Sequence, residues 1–380
     1  MLKPPGGCRP TERQKELLTG LSVIVIFALG FGAAEVVLRL LQVMKYGTVQ
    51  AAHEGETFYR EEGTGLRLPK PGARVGRARI NSLGFRGPEI PIVRSSHKLR
   101  LAFLGSSTTY DAEAPEGQNW PELTAQKVER ALPSGCGVDF ANAGVPGFGL
   151  EHMRKHFEAH VRVLRPDVVL ILAADITRDI QTGLAAKGVA VSDLIKPSWL
   201  ARQSLLWSKV EKNVHVIRLQ RAATRPEGKI SFDHDAYAAD FERRLTTVIE
   251  TVKTSEALPV LVTTVGQLRR EQSRRMQIEA STTALFYNPS MSIPGLLDAR
   301  DAYNAAIHRA GQKTGVAIID GHQDIPGDRQ HFADSSHFSP LGSEKMAERV
   351  ATALLANQAF RARIRALGAP CRFEDKERGA

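Results

Sequence analysis

Apolar positions in this chain form short continuous runs separated by longer stretches with helical spacing. In "LRLAFLG" (99–105), Leu99, Leu101, Phe103 and Leu104 leave too little alternation for a sheet with one wet face, and suit a strand covered on both sides. The runs "VDFANAG" (138–144), "PDVVLILAAD" with a strand at 167–173, "LPVLVTTVG" (258–266) and "GVAIIDG" (315–321) read the same way. Helical patterns fall near 120–132, 150–164 and 237–254, and a last helix runs from 340 to about 357. Strands alternating with helices predict a three-layer α/β/α sandwich with a central parallel sheet over residues 98–360.

Two stretches interrupt the alternation, at about 177–235 and 267–292. Insertions of that length inside a domain commonly form lids or binding surfaces. In the first, "WLARQSLLWSKVEKNVHVIRLQRAA" mixes Trp199, Leu200, Leu205, Leu206, Trp207, Val210, Val214 and Ile217 with basic residues, and reads as one amphipathic helix. Such a helix covers a site, rests on a membrane surface, or packs into the core.

The N-terminus has a different pattern. Residues 17–34, "LLTGLSVIVIFALGFGAA", carry no charge and are just long enough to cross a bilayer as a helix. Lys3, Arg9, Arg13 and Lys15 precede them, so the positive-inside rule keeps residues 1–16 in the cytoplasm and sends the rest across. A cleaved signal peptide is the rival, since Gly32, Ala33 and Ala34 are small. An uncleaved anchor over 17–41 is preferred, because the apolar pattern continues to Leu41 with Glu35 and Arg39 spaced as a helical i,i+4 pair. A Gly-, Pro- and Arg-rich linker or N-terminal extension (42–97) follows, and a tail (361–380) ends the chain. Cys136 and Cys371 fall in the exported part and either pair or remain free thiols.

Composition narrows the partners. The 42% hydrophobic fraction is that of a globular protein, and the formal charge of +10 comes from Lys and Arg interspersed with Asp and Glu. No zinc-finger spacing, aromatic RNA-binding motif or basic zipper is present, so nucleic acid is not an expected partner.

The candidate chemistry begins where the 99–105 strand ends. Gly105 permits a sharp turn, and Ser106, Ser107, Thr108 and Thr109 follow at the carboxyl end of the strand, where open α/β sheets hold ligands. Near the C-terminus, "FADSSHFSPLG" holds Asp334 and His337 three positions apart before the final helix. A carboxylate beside a histidine fixes the imidazole tautomer and stabilises the imidazolium formed when a serine loses its proton. Other histidines are weaker candidates. His322, with Asp320 and Asp324, lacks zinc-ligand spacing, and His152, His156 and His160 repeat at i,i+4 without the Glu of a His-Glu-x-x-His motif and read as a solvated helix face.

These residues together resemble the SGNH/GDSL hydrolase family, particularly its bacterial members with an N-terminal membrane anchor. The resemblance covers 99–355 and, more loosely, "NSLGFRG" (81–87). It makes Ser107 the nucleophile in Gly105-Ser106-Ser107-Thr108-Thr109, with Ser106 in the family's Asp position. "NAGVPG" (142–147) resembles the second block, in which Gly147 offers a backbone N–H to the oxyanion beside that of Ser107, and Asp334 and His337 complete the triad. The third block departs. The family carries Gly-x-Asn-Asp there, and Ala173-Ala174-Asp175 aligned on the Asp puts Ala174 where the Asn side chain would donate to the oxyanion. Thr177 and Arg178 are candidates to compensate for that donor, and Asp175, in the family's Asp position, is a further accessory candidate, since aligned instead on the Asn its carboxylate would repel the oxyanion.

The resemblance implies a serine esterase that needs no cofactor or metal. Its expected partners are an acylated small molecule, glycan or lipid, and the membrane through the N-terminal helix. Transfer of the acyl group to an envelope polysaccharide, and a non-catalytic binding role motivated by Ala174, are the alternatives.

Overall fold

The computed structural model describes residues 11–46, 57–75, 77–173, 176–186, 197–223, 233–321, 324–368 and 371. They divide into two units, 1–52 with 197–214, and 53–196 with 215–380.

In the larger unit, β5 (Lys98–Gly105), β6 (Gly137–Gly144), β7 (Val168–Leu172), β8 (Leu258–Val262) and β9 (Ala317–Ile319) form one sheet in the order β6-β5-β7-β8-β9, all parallel. The expected strands are present because both faces of the sheet are covered. Leu101, Phe103, Leu170 and Val262 pack against helices α3 (Trp120–Ala131), α12 (Pro340–Ala356) and α13 (Gln358–Ala366). Ala102, Leu104, Val169 and Ile171 pack against α4 (Leu150–His156), α8 (His234–Lys253) and α11 (Ile293–Thr314). Each large apolar side chain buried this way contributes about 1.5–3 kcal/mol. The chain leaves β5 for β6 on one side and returns to β7 on the other, so the carboxyl ends of β5 and β7 flank the switch point where such sheets bind ligands.

Several segments differ from the sequence reading. The stretch 293–314, which shows no clean apolar period, is a 22-residue helix with Pro294 in its first turn and Gly315 at φ 69° ending it. The insertion at 267–292 contains α9 (Arg274–Ala280) and α10 (Thr282–Tyr287). Residues beyond 360 continue α13, with Phe360 and Ile364 fully buried, and Cys371 bonds to Cys136 across a Cα–Cα distance of 5.3 Å. The Gly- and Pro-rich region before β5 forms two small hairpins, β1 (Phe58–Arg60) with β2 (Arg67–Pro69), and β3 (Arg74–Val75) with β4 (Ala78–Arg79). Its Phe58, Leu66, Leu68, Phe85 and Ile90 join the core on the α4 side. That cover overturns the reading of the 152–160 histidines as a solvated face. His156 is 3% exposed between Phe85 and Phe148, and burial pushes its pKa down to about 3, so it stays neutral.

The smaller unit holds α1 (Glu12–Tyr46), whose stretch Lys15–Met44 is long and apolar enough to cross a membrane and has none of its apolar window buried. By length and composition the same helix fits a signal sequence or a single anchor. The 199–223 stretch is two helices, α6 (Trp199–Gln203) and α7 (Leu205–Ala223), broken at Ser204. Glu35 accounts for the break. Its carboxylate accepts hydrogen bonds from Ser204 Oγ at 2.9 Å, Leu205 N at 2.9 Å and Leu206 N at 2.8 Å, capping α7, while Arg39 donates to Gln203 O at the end of α6. Glu35 and Arg39 form the expected i,i+4 pair at 2.7 Å.

Candidate active site

β5 ends in register with β6 and β7, Gly105 lying opposite Gly144 on one side and Leu172 on the other. Ser107 then opens α2 (Ser107–Tyr110), a single turn packed onto the strand ends. The approach is too close for side chains at either glycine. A Cβ on Gly105 would lie 1.9 Å from Thr109 Oγ1, and one on Gly144 2.4 Å from Tyr110 N. Gly105 therefore does more than permit a turn, since it lets the Ser107 turn sit directly on the sheet edge.

The turn is held from outside. Ser107 O accepts from Asp111 N at 2.8 Å, Thr108 O from Trp120 Nε1 at 2.9 Å, and Thr109 O from Asn142 Nδ2 at 3.0 Å. The Arg86 guanidinium donates to the carbonyls of Tyr110, Asp111 and Ala114. Arg86 is 2% exposed, and burial lowers its pKa while the charge of Asp111 opposes that. Neither Arg86 nor Asp111 was singled out as a functional candidate. Arg86 lies in "NSLGFRG", the only sequence signal pointing to it, and its target carbonyls are 24 to 28 residues away.

Asp111 links this turn to the histidine loop. Its Oδ2 accepts from Trp120 N at 3.1 Å and from Ser343 Oγ at 2.7 Å, and Ser343 lies in the first turns of α12 just after His337. Burial pushes the Asp111 carboxyl up to about 6, against the hydrogen bond from Ser343 and the Arg86 charge.

Asp334 and His337 meet as their spacing suggests. Asp334 Oδ1 accepts from the backbone N–H groups of Ser336 and His337, each at 2.9 Å, and Oδ2 lies 2.8 Å from His337 Nδ1. Burial would raise Asp334, but the His337 hydrogen bond and charge and the two backbone donors hold it below the usual carboxylate value. Asp334 is therefore the acceptor and Nδ1 carries the proton, which leaves Nε2 of neutral His337 as a base. Burial would lower His337, yet the hydrogen bond and charge of Asp334, with Asp111 and Glu113 adding, raise it. The Asp111 charge joins the His337 loop electrostatically to the turn that carries Ser107. Among the described residues, Ser107 Oγ makes no hydrogen bond, with His337 or any other group.

The oxyanion side is more open. Gly147 lies exposed in the turn after β6 at φ 82°, and its N–H and that of Ser107 have no acceptor among the described residues. Arg178 Nη2 donates to Gly147 O at 2.6 Å from the first turn of α5 (Ile176–Ala186). Thr177 beside it accepts from Asn288 Nδ2 at 3.4 Å. Ala174, Asp175 and His322 lie outside the described residues. The second insertion borders the Asp334–His337 loop. Ser335 Oγ accepts from Thr283 N and Ala284 N at 3.0 and 3.1 Å, and Gln267 N donates to Ser335 O at 2.9 Å. Among the described residues, no group of three or more His, Cys, Asp or Glu is arranged to hold a metal ion.

Solved structures with a similar fold include a putative lipolytic protein of the G-D-S-L family from Desulfitobacterium hafniense DCB-2, at 11% identity and TM-score 0.38, covering 67% of this chain and 98% of that one. The acetylxylan esterase Axe2 from Geobacillus stearothermophilus is 14% identical at TM-score 0.42, covering 70% of this chain and 98% of its own. The acetyl xylan esterase AlAXEase is 13% identical at TM-score 0.39, covering 67% and 99%. No curated protein matches the sequence. The profile of the GDSL-like Lipase/Acylhydrolase family matches residues 103–345, from inside β5 into α12 and across the Ser107 turn and the Asp334–His337 loop. By that match over more than half its length, the chain belongs to the GDSL-like lipase/acylhydrolase family, the SGNH hydrolases.

Proposed function

We propose that the protein is a serine esterase acting outside the cytoplasm from a membrane anchor, with Ser107 as nucleophile, His337 as general base and Asp334 as its orienting carboxylate. The observation that carries this reading is the Asp334–His337 hydrogen bond, which leaves Nε2 free for a proton from Ser107. Ser107 Oγ attacks the ester carbonyl carbon as its proton passes to Nε2. The backbone N–H groups of Ser107 and Gly147 donate to the oxyanion, and Arg178 steadies the Gly147 turn through its carbonyl. The intermediate expels the alcohol, which takes the proton from His337, and leaves an acyl-serine. Water attacks that ester with His337 again as base, releasing the carboxylic acid and restoring Ser107.

The Cys136–Cys371 disulfide supports an oxidising compartment. The continuation of α1 as helix through Gly32, Ala33 and Ala34 to Tyr46 supports an anchor over a cleaved signal. An acylated envelope glycan or lipid is the substrate class that fits this location. A fluorophosphonate probe tests the chemistry: wild-type protein labels and Ser107→Ala does not. Failure of the folded wild type both to label and to hydrolyse short-chain aryl esters would instead favour a non-catalytic binding role, which the Ala174 departure motivates.

A further inference from the structure

The surface that the esterase reading leaves unused is the apolar one in the smaller unit. Trp199 is 66% exposed and Leu200 48%, and Trp207, Val210 and Val214 are exposed along α7. The last three recur at i, i+3 and i+7, so they share one helix face, with Lys209 and Lys212 on the other side. An apolar stripe backed by cations is the pattern of a helix lying in a membrane interface.

The hydrogen bonds to α1 say at what depth it lies. Residues 17–34 span about 27 Å as a helix, close to the hydrocarbon thickness of about 30 Å. Glu35, the first charge after them, therefore falls at the headgroup boundary, and Arg39 lies about 6 Å beyond it. Glu35 accepts from Ser204 Oγ and the N–H groups of Leu205 and Leu206, and Arg39 donates to Gln203 O, so the α6–α7 junction sits at that same level. Tryptophan concentrates at this level because its ring is apolar and its N–H polar. The one carboxylate in the segment, Glu211, is engaged by Ser198, while Arg202 and Lys209 stand exposed toward anionic headgroups.

We propose that residues 198–214 lie on the outer leaflet of the membrane, with Trp199, Leu200, Trp207 and Val210 in the boundary between headgroups and acyl chains. The Glu35–Arg39 pair couples this interfacial element to the anchor. The proposal rests on the anchor reading of α1 given above.

The chain has three tryptophans, and Trp120 is fully buried in the larger unit, so quenching by lipid reports on the other two. The full chain is reconstituted into phosphatidylcholine–phosphatidylglycerol vesicles whose acyl chains are brominated near the headgroup. Tryptophan emission is then compared with that in unbrominated vesicles, and retention after alkaline extraction is measured in parallel. Wild type is expected to be retained and to lose roughly half its emission, whereas Trp199→Phe/Trp207→Phe is retained and unquenched. Retention without wild-type quenching overturns the inference and leaves the anchor reading standing. Release by alkali overturns both. Glu35→Ala, retained, is expected to show reduced quenching; full quenching there removes the coupling role of Glu35.

Discussion

β5 and β7 are neighbouring parallel strands whose carboxyl ends lie at the same level of the sheet, yet the described residues beyond those ends are held very differently. After β5, the carbonyls from Ser107 to Asp111 all have donors, supplied by Asp111, Trp120, Asn142 and Arg86. After β7, the described residues Thr177 and Arg178 are exposed: Thr177 Oγ1 accepts from Asn288 Nδ2 at 3.4 Å, Arg178 Nη2 donates to Gly147 O, and Arg178 O accepts from Thr182 Oγ1. In the proposed mechanism the first turn carries the nucleophile, which must meet its base within a narrow geometry. In that mechanism the second borders the oxyanion, and an alanine at position 174 has no side chain that could donate to it. The described residues of the two segments thus differ in what holds them, and each segment makes its own prediction.

The largest effect belongs to the base that serves the segment after β5. His337→Ala is expected to lower kcat on a short-chain aryl ester by up to about a million-fold, leaving only the roughly 1,000- to 10,000-fold enhancement over water that oxyanion donors and binding supply. The melting temperature should change little, since His337 is half-buried and ends in a loop. A folded variant that keeps even a tenth of wild-type kcat would remove His337 from the mechanism.

Next comes the clamp. Arg86→Met keeps most of the volume and removes the guanidinium donors to three carbonyls, of which Asp111 O keeps the Ala114 N–H while Tyr110 O and Ala114 O lose their Arg86 donor. Breaking such an array costs about 3 kcal/mol or more, read as a lower midpoint in urea unfolding, and esterase activity falls with it because the Ser107 turn is freed. A cost below about 1 kcal/mol would show that the turn holds itself and that the contrast between the two segments has another origin.

The same contrast divides what the sequence discloses from what it hides. The five strands are legible because burial on both faces makes them continuous apolar runs, and the Asp334–His337 contact is legible because the two residues lie three positions apart in one loop. Arg86 is not, since its role depends on residues 80–90 folding back onto 110–114, and nothing local in "GFRG" encodes that return. The break at Ser204 was equally invisible, because its cause, Glu35, lies 169 residues earlier. Helix α11 was missed for another reason: Arg300 and Tyr303 take core-facing positions where a simple apolar count expects aliphatic residues. The sequence leaves Cys136 and Cys371 either paired or free because their 235-residue separation says nothing about proximity, and the fold brings their Cα atoms to 5.3 Å.

In the segment after β7, Ala174→Asn supplies the side-chain donor that the family pattern has at this position. A contact made only as charge develops on the oxygen raises kcat more than it lowers KM. The gain expected on a simple ester is roughly tenfold, below the roughly 100-fold cost of losing an evolved donor, because a new side chain in an unprepared shell is seldom well oriented. An unchanged kcat in a stable variant, with high Ser107-dependent activity in the wild type, would mean that another group already fills the oxyanion site.

The smallest effect tests the link between the nucleophile turn and the histidine loop, and it is a shift in pH dependence. Neutral His337 is the working form, so kcat/KM falls as pH drops through its pKa, which Asp334 and Asp111 raise above the ordinary histidine value. Burial pushes the Asp111 carboxyl up to about 6, so above that pH its charge favours the imidazolium. Asp111→Asn keeps the shape and retains an oxygen to accept from Trp120 N and Ser343 Oγ, but removes the charge. The acid limb of kcat/KM should therefore move to lower pH, with the plateau rate changed far less than by His337→Ala. An acid limb that stays in place, or moves to higher pH, would show that the Asp111 charge does not act on His337 and that the two halves of the triad are joined by packing alone.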